Sequence, residues 1–432
     1  MQKTKVGIIG LGTVGSGVAK ILLDQGDRTA RHAGRVLWLE KAVVRDLTKP
    51  RGVDLPETVT LTDSVDDVVS DPQITVACEL IGGVDRAKDV VLALLEAGKD
   101  VVTANKALLA EHGPELFGRA RELGRSIAFE AAVAGGIPII TNLSQCLSAN
   151  RVTSLHGILN GTSNFILDKM HAEGRPYADV VAEAQRLGYA EADPAMDVDG
   201  TDAAQKLAIL AQLAFGARLS WRDIPRSGID GVDLLDIQYA AEMGYRIKLL
   251  AVADLRDGRL DCEVNPALVK AGSPLGEVGG PFNAVLVQGD AVGPLFFYGQ
   301  GAGQMPTASA VVADLIDTAV GRTALTFHTL KLWSEELPGA EQDDFARSTG
   351  KRYVRVMVDD HPGVLADVTR AFGDEGISIA SLLQKAAIDG ASAVPMVIMT
   401  HAATEAATDA ACARVAKLPA CKAPPVKMWV RD

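Results

Sequence analysis

The feature that most narrows the possible folds lies near the start of the chain. Lys5-Val6-Gly7-Ile8-Ile9 is a short apolar run, and Gly10-Leu11-Gly12-Thr13-Val14-Gly15 follows at once. Val18, Ile21, Leu22 and Leu23 then recur at helical spacing. A strand, a G-x-G-x-x-G turn and a helix in that order form the phosphate-binding end of a dinucleotide fold. The first glycine permits the tight turn, the second lets backbone approach a pyrophosphate, and the third lets helix pack on strand. The anion rests on unpaired N–H groups at the helix N-terminus. A purely structural glycine turn requires neither the strand before nor the helix after.

The segments that follow keep this rhythm. Leu39 to Val44 is a second strand, ending in Arg45-Asp46. A carboxylate at that end bonds the ribose 2′-hydroxyl of NAD, whereas an arginine suits the 2′-phosphate of NADP. Arg45 comes first, so NADP(H) is expected over NAD(H). The competing reading is a solvated pair of loop charges. Ile74 to Ile81 is a buried strand ending at Gly82-Gly83, Val90 to Leu95 a helix, Asp100 to Lys106 a strand with a polar end, and Ser126 to Glu130 one more strand. Alternating short strands and helices predict a doubly wound parallel sheet over residues 1–134, a Rossmann-type domain. Strand C-termini in such a sheet face the ligand crevice, which makes Lys106 a candidate site residue.

At 432 residues the chain exceeds one core, so two or three domains are expected. A net charge of −12 argues against nucleic acid, which needs a basic surface. The five cysteines, Cys78, Cys146, Cys262, Cys412 and Cys421, form no C-x-x-C pair and suit a reducing compartment. No apolar run approaches a membrane span, and no signal-peptide layout opens the chain. A cytoplasmic protein with no nucleic-acid or membrane partner is expected. The glycosylation sequons at Asn142 and Asn160 then carry no meaning.

From about 135 to 305 the pattern changes. Ala131 to Pro138 is rich in small residues and marks a crossing between domains, followed by a helix from Ile139 to roughly Leu147. Val152 to Leu159 is a strand, and Asn160-Gly161-Thr162 opens a helix through Phe165, Ile166, Leu167 and Met170 rather than a hairpin turn. His156 is read as a structural histidine. A second helix ends at Gly188, the expected C′ residue, and another begins near Thr201, the expected N-cap. Between them lie Glu191, Asp193, Asp197 and Asp199, with Asp202 just inside the new helix and no basic residue before Lys206. Asp202 and Lys206 are i,i+4 on one face. The spacing alone fits both a solvated loop with a helix-supporting ion pair and a pocket that binds a cation and moves a proton. Lys248–Val252, Leu260–Val264 and Ala284–Val287 suggest an antiparallel sheet, a common subunit interface. Gly299 to Gly303 is either a flexible linker or a cofactor contact, and Thr307 to Ala319 is a helix able to return to the first domain.

Glu335 to Thr349 is polar and marks a linker. Residues 350–432 then read strand, helix, strand, strand, helix, strand, a ferredoxin-like βαββαβ unit. It holds no catalytic constellation, which points to regulation or assembly.

Three regions together resemble one family. Ala184, Gly188, Tyr189, Ala190, Asp193, Pro194, Asp197, Val198, Gly200, Asp202 and Lys206 match the signature of homoserine dehydrogenases, as do Thr103-Ala104-Asn105-Lys106 and Gly157 to Thr162. The last unit resembles an ACT domain through Asp360-x-Pro-Gly-Val-Leu365. The resemblance implies an α/β Rossmann-type domain over 1–134 completed by about 306–330, an α+β catalytic and dimerisation domain over 135–305, and an ACT domain over 350–432. It implies reversible NAD(P)H-dependent reduction of L-aspartate 4-semialdehyde to L-homoserine in threonine, methionine and isoleucine synthesis. It implies Lys206 as proton donor and acceptor, Glu191 and Asp202 as homoserine ligands, and Lys106 at both cofactor and substrate. Gly10, Gly12, Thr13, Val14, Gly15, Arg45, Gly188 and Gly303 fall at cofactor positions. A monovalent cation, typically sodium, is implied at Glu130 and the carbonyls of Val133, Gly135 and Ile137. L-Threonine is the implied effector, and a homodimer or homotetramer the implied assembly.

Two other readings compete. A semialdehyde dehydrogenase requires a nucleophilic cysteine at a strand end or helix start, and no cysteine occupies one. A non-catalytic NADP-plus-amino-acid sensor needs no proton shuttle, which leaves Glu191, Asp202 and Lys206 unexplained. A fused aspartate kinase is not expected, since the dinucleotide strand opens the chain.

Overall fold

The structure, a computed structural model, describes residues 2–191, 193–334, 339–385 and 393–431. Residues 335–338 of the expected linker lie outside the described residues. The chain divides into two compact units that interleave in sequence. One comprises residues 1–155, 204–224 and 282–341; the other comprises 156–203, 225–281 and 342–432.

The first unit holds a six-stranded sheet built from β1 (Lys3–Ile9), β2 (Val36–Val43), β3 (Thr60–Thr62), β4 (Ile74–Glu79), β5 (Asp100–Thr103) and β6 (Ile127–Ala128). Its order is β3-β2-β1-β4-β5-β6, and every pair is parallel. Val6, Ile8, Val76, Cys78 and Val102 are fully buried, which is why these strands read as continuous apolar runs. The chain order reverses across β1 and β4, so the ligand crevice opens at the C-terminal end of β1. The helices Thr13–Asp24 and Gln304–Ala319 pack so closely that a Cβ on Gly17 would lie 2.9 Å from that of Ala308. A hairpin, Phe282–Gly289 with Gly293–Gln300, completes this unit.

Three local expectations shift. The strand expected over Asp100–Lys106, β5, stops at Thr103, because the Asn105 side chain accepts the N–H of Leu108 at 3.1 Å and so caps a helix beginning at Lys106. Strand pairing at Ser126–Glu130 shrinks to Ile127–Ala128, because Glu130–Ala132 turns. The helix from Ile139 lasts to Thr141 and then widens into a π turn over Asn142–Cys146.

In the second unit, Tyr245–Arg256 and Arg259–Lys270 form a fully paired antiparallel hairpin. Its two-residue turn places Asp257 at φ 50° and Gly258 at φ 82°, the left-handed pair such a tight turn requires. The C-terminal unit is βαββαβ: Thr349–Val358, Val364–Asp374, Ile379–Gln384, Val394–Thr400, Glu405–Val415 and Cys421–Arg431. Both helices cover one face, where Val354, Val356, Val368, Phe372, Ile398 and Ala411 make a core. This unit joins the hairpin directly, since Trp429, Val430 and Arg431 pair in parallel with Ala267, Leu268 and Val269. A second joint is polar. Asp236, fully buried, accepts from the Tyr353 hydroxyl at 2.8 Å and from Arg355 Nε and Nη2 at 2.6 and 2.9 Å. Among the described residues no helix is long and apolar enough to cross a membrane.

Candidate active site

The three glycines after β1 have three separate causes. Gly10 sits at φ 105°, and a Cβ there would meet the Leu80 carbonyl at 2.6 Å. A Cβ on Gly15 would meet the Gly10 carbonyl oxygen at 1.9 Å. A Cβ on Gly12 would meet nothing within 4 Å. Gly10 and Gly15 are therefore demanded by the protein itself. Gly12 faces a cleft of about 650 Å³, lined also by Leu11, Thr13, Val43, Val44, Leu80 and Gly82. Thr13 opens the helix Thr13–Asp24, which has no side-chain cap and no acidic residue in its first turn. Val14 is half-buried in that turn. The arrangement suits a pyrophosphate. Gly303, at φ 131°, is the N-cap of the helix whose first residue, Gln304, also lines the cleft.

Charge in the cleft is mostly positive. Arg45, Lys49, Arg51 and Arg86 line it beside one carboxylate, Asp46. That carboxylate is occupied. Its Oδ1 accepts from Thr48 N at 2.8 Å and from Thr48 Oγ1 at 2.7 Å, bonds that hold it below the usual carboxylate range. Arg51 Nη2 in turn donates to the Asp46 carbonyl.

The ends of β4 and β5 are stitched by one acid. Glu79, fully buried, accepts from Thr103 Oγ1 at 2.7 Å and from Ile81 N at 3.0 Å. Burial pushes its carboxyl up against those bonds. Thr103 Oγ1 accepts from Asn105 N, and Asn105 Nδ2 donates to the Gly83 carbonyl at 2.7 Å. Half-buried Lys106 therefore stands at the start of its helix on a rigid base.

The acidic loop belongs to the second unit, as do Gly188, Glu191 and Asp202. Gly188 ends the helix Tyr177–Leu187 at φ 75°, and the N–H groups of Tyr189 and Ala190 both return to the Ala184 carbonyl. Glu191 is exposed, with its carbonyl accepting from Gln185 Nε2 at 3.3 Å. Thr201 is the first helical residue rather than the N-cap, and its N–H donates to Asp199 Oδ1 at 2.7 Å. Asp202, 6 % exposed, and half-buried Lys206 lie one turn apart on the helix Thr201–Phe215.

Asn160 opens its helix as the sequence implies, but it also reaches the acidic loop, which the sequence did not show. Its Oδ1 caps the helix Gly161–Glu173 by accepting Ser163 N at 2.8 Å. Its Nδ2 donates to Asp197 Oδ1 at 2.8 Å and to Asp202 Oδ2 at 2.9 Å. Ser163 Oγ holds the Asp197 carbonyl at 2.6 Å, and Thr162 Oγ1 holds that of Tyr189 at 2.6 Å. One helix start thus holds Tyr189, Asp197 and Asp202. The cap signature at Asn160 was visible; its bonds to acids 37 and 42 residues away were not. His156 is structural: its Nε2 lies 2.7 Å from Asp254 Oδ1.

Glu130 is 4 % exposed. Its oxygens accept from Ile140 N at 2.9 Å and Thr141 N at 2.8 Å, and no lysine or arginine pairs with it among the described residues. Burial pushes its carboxyl up. The loop bearing Val133, Gly135 and Ile137 folds through Ala134 at φ 49°, with Ile137 N donating to the Ala134 carbonyl at 2.6 Å. A buried carboxylate that no lysine or arginine pairs among the described residues is the kind of donor a hard cation takes. Burial pushes the Cys78 and Cys262 thiols up, the reverse of an activated nucleophile.

Comparison with known proteins identifies the family. Residues 10–130 match the model of the homoserine dehydrogenase NAD-binding domain, residues 138–316 that of homoserine dehydrogenase, and residues 352–418 that of the ACT domain. A homoserine dehydrogenase of Pseudomonas aeruginosa is 43% identical over 440 residues, covering 100% of both chains. The crystal structure of a homoserine dehydrogenase from Thiobacillus denitrificans superposes with a TM-score of 0.93 at 42% identity, covering 100% of this chain and 99% of that one. A hyperthermophilic archaeal homoserine dehydrogenase in complex with NADPH is 26% identical with a TM-score of 0.62, over 79% of this chain and 100% of its own. The chain belongs to the homoserine dehydrogenase family, NAD(P)-dependent oxidoreductases, and carries an ACT domain at its C-terminal end.

Proposed function

We propose that the chain interconverts L-aspartate 4-semialdehyde and L-homoserine with NADP(H) as the preferred cofactor. The reduced nicotinamide supplies a hydride to the aldehyde carbon. The aldehyde oxygen then gains negative charge and needs both stabilisation and a proton. Lys206 provides both at that oxygen, and gives a base for the reverse reaction. Lys106 contacts cofactor and substrate from its helix start. Glu191 and Asp202 hold the substrate ammonium, and Gly188 joins Gly10, Gly12, Thr13, Val14, Gly15 and Gly303 at the cofactor. The observation that carries this reading is Asp202, fixed by Asn160, one helical turn from Lys206.

NADP preference is supported by the four cations lining the cleft and by Asp46, which is tied to Thr48. Glu130 and the carbonyls of Val133, Gly135 and Ile137 would hold sodium, stabilising the loop that leads out of the dinucleotide domain. The domains divide at 1–134 with 306–330, 135–305 and 350–432. The hairpin ending at Gln300 exposes Phe296 and Tyr298, with Tyr298 stacked on Phe282 at 5.1 Å, and such a face supports a homodimer or homotetramer. L-Threonine acts as a feedback effector through the ACT domain, in a cytoplasmic enzyme. Following NADPH oxidation with L-aspartate 4-semialdehyde tests the reaction: turnover supports it, and no turnover with either nicotinamide cofactor overturns it.

A further inference from the structure

One wall of the dinucleotide cleft is the loop that leaves β2. Arg45, Asp46, Lys49, Pro50, Arg51 and Gly52 all line the cleft, whereas Leu47 and Thr48 do not. The loop crosses from the strand end to the start of the helix Gln304–Ala319, where a Cβ on Gly52 would lie 4.0 Å from Gln304 Nε2. It contains no helix or strand, and it is exposed from Arg45 to Pro50. With so little burial, polar contacts within the loop set its shape.

Two side chains supply those contacts. Arg51 donates from Nη1 to the Lys49 carbonyl at 2.7 Å and from Nη2 to the Asp46 carbonyl. It ties the backbone of the loop. Thr48 takes the Asp46 carboxylate: its N–H and its Oγ1 both donate to Oδ1, at 2.8 and 2.7 Å. Two donors on one oxygen fix the direction of the carboxyl group. Both donors belong to a residue outside the cleft lining, so the carboxylate is turned toward the rim and away from the space beside Arg45.

An aspartate at this strand end is the group that bonds the ribose 2′-hydroxyl of NAD(H). The same carboxylate, swung inward, repels the 2′-phosphate of NADP(H). Its direction therefore matters as much as its presence. Held at the rim, it neither serves the hydroxyl nor opposes the phosphate, and Arg45 is left to meet the phosphate.

We propose that Thr48 is a specificity-determining residue, a positioning group that sets the balance between NADP(H) and NAD(H) by latching Asp46 at the rim. The latch rests on the NADP(H) preference proposed above, but it is read from a change in the ratio of affinities and not from the wild-type ratio. Titrating the full chain with NADPH and with NADH gives both dissociation constants without any need for turnover. Thr48 is exposed, so its variants fold. Thr48→Val keeps the branched shape and leaves only the backbone N–H on Oδ1. NADH should then bind about threefold or more tightly, and NADPH about threefold or more weakly. Thr48→Ser restores the hydroxyl and should match the wild type. Thr48→Val combined with Asp46→Ala should bind both cofactors as Asp46→Ala alone does, because Thr48 acts through the carboxylate. A ratio unchanged by Thr48→Val, or shifted equally in the absence of Asp46, overturns the latch. Weaker NADH binding in Thr48→Val also overturns it, since the two bonds would then aim the carboxylate at the ribose. A wild type that binds both cofactors equally overturns the NADP(H) preference; a shift toward NADH in Thr48→Val still supports the latch in that case.

Discussion

Asn160 holds Asp202 through Nδ2 to Oδ2 at 2.9 Å while its own Oδ1 caps the helix that begins at the next residue. The side chain therefore does two things that can be separated. Asn160→Asp keeps an N-cap acceptor but replaces the donor with a third negative charge. Hydrogen bonds to charged groups are worth about 1.5–3 kcal/mol, so the KM for homoserine should rise by roughly 10- to 100-fold. The KM for NADP(H) and the melting temperature should change little. A variant whose only defect is lower stability would show that Asn160 is a cap and nothing more.

Gly12 and Gly15 differ in what a methyl group would meet. At Gly15 it would lie 1.9 Å from a backbone oxygen, and at Gly12 it would enter the open cleft. Gly15→Ala should unfold or strongly destabilise the dinucleotide unit, by several kcal/mol on the scale of about 4–5 kcal/mol that marks exceptional substitutions. Gly12→Ala should keep the wild-type melting temperature and lose about tenfold or more in NADPH affinity. Thermal denaturation and cofactor titration of both variants check the contrast. Equal loss of stability in the two would contradict it.

Arg45 stands at the end of β2, and Asp46 beside it is engaged by Thr48. Arg45→Ala should lower kcat/KM for NADPH by about tenfold or more and leave that for NADH nearly unchanged, since a charge-assisted bond to the 2′-phosphate is what is removed. An unchanged ratio between the two cofactors would remove Arg45 as the selector.

Lys248 is 1 % exposed and donates to the Val278 carbonyl at 2.5 Å and to Asn164 Oδ1 at 3.2 Å. Burial pushes its pKa down to about 8, against a smaller upward pull from Asp168, from an ordinary 10.5. Between those two values the unfolded chain binds more protons than the folded one, so stability rises with pH there. The burial penalty is fully present below about pH 8 and is relieved toward pH 10.5; across the whole interval it amounts to roughly 3 kcal/mol. Urea denaturation at pH 7.5 and pH 9.5 should show a Lys248 contribution that Lys248→Met abolishes. The same pH difference in both proteins would show that the ammonium is not the cause.

Much of the first unit was legible because its causes are local. A strand, three glycines and a helix lie within about 20 residues, so the motif is complete in one short stretch of chain even though the contact that demands Gly10 comes from Leu80. The βαββαβ order of the last unit was legible for the same reason. Its pairing of Trp429–Arg431 with Ala267–Val269 was not, because nothing near either stretch specifies a partner some 160 residues away. The acidic loop shows the same boundary. Gly188 could be placed as a helix end, whereas two readings of Asp202 and Lys206 stayed equal until the wider signature was considered. The strand drawn through Lys106 overran because Asn105, a good N-cap, follows an apolar run with no break in hydrophobicity. The carbonyls of Val133, Gly135 and Ile137 leave no mark in residue identity at all.

Lys206 bears the central claim, and its replacement gives the most direct test. The turnover number for NADPH-dependent reduction of L-aspartate 4-semialdehyde should fall in Lys206→Met by about 10²–10⁴-fold, with NADPH affinity within about twofold of wild type. A kcat close to that of the wild type would contradict the assignment.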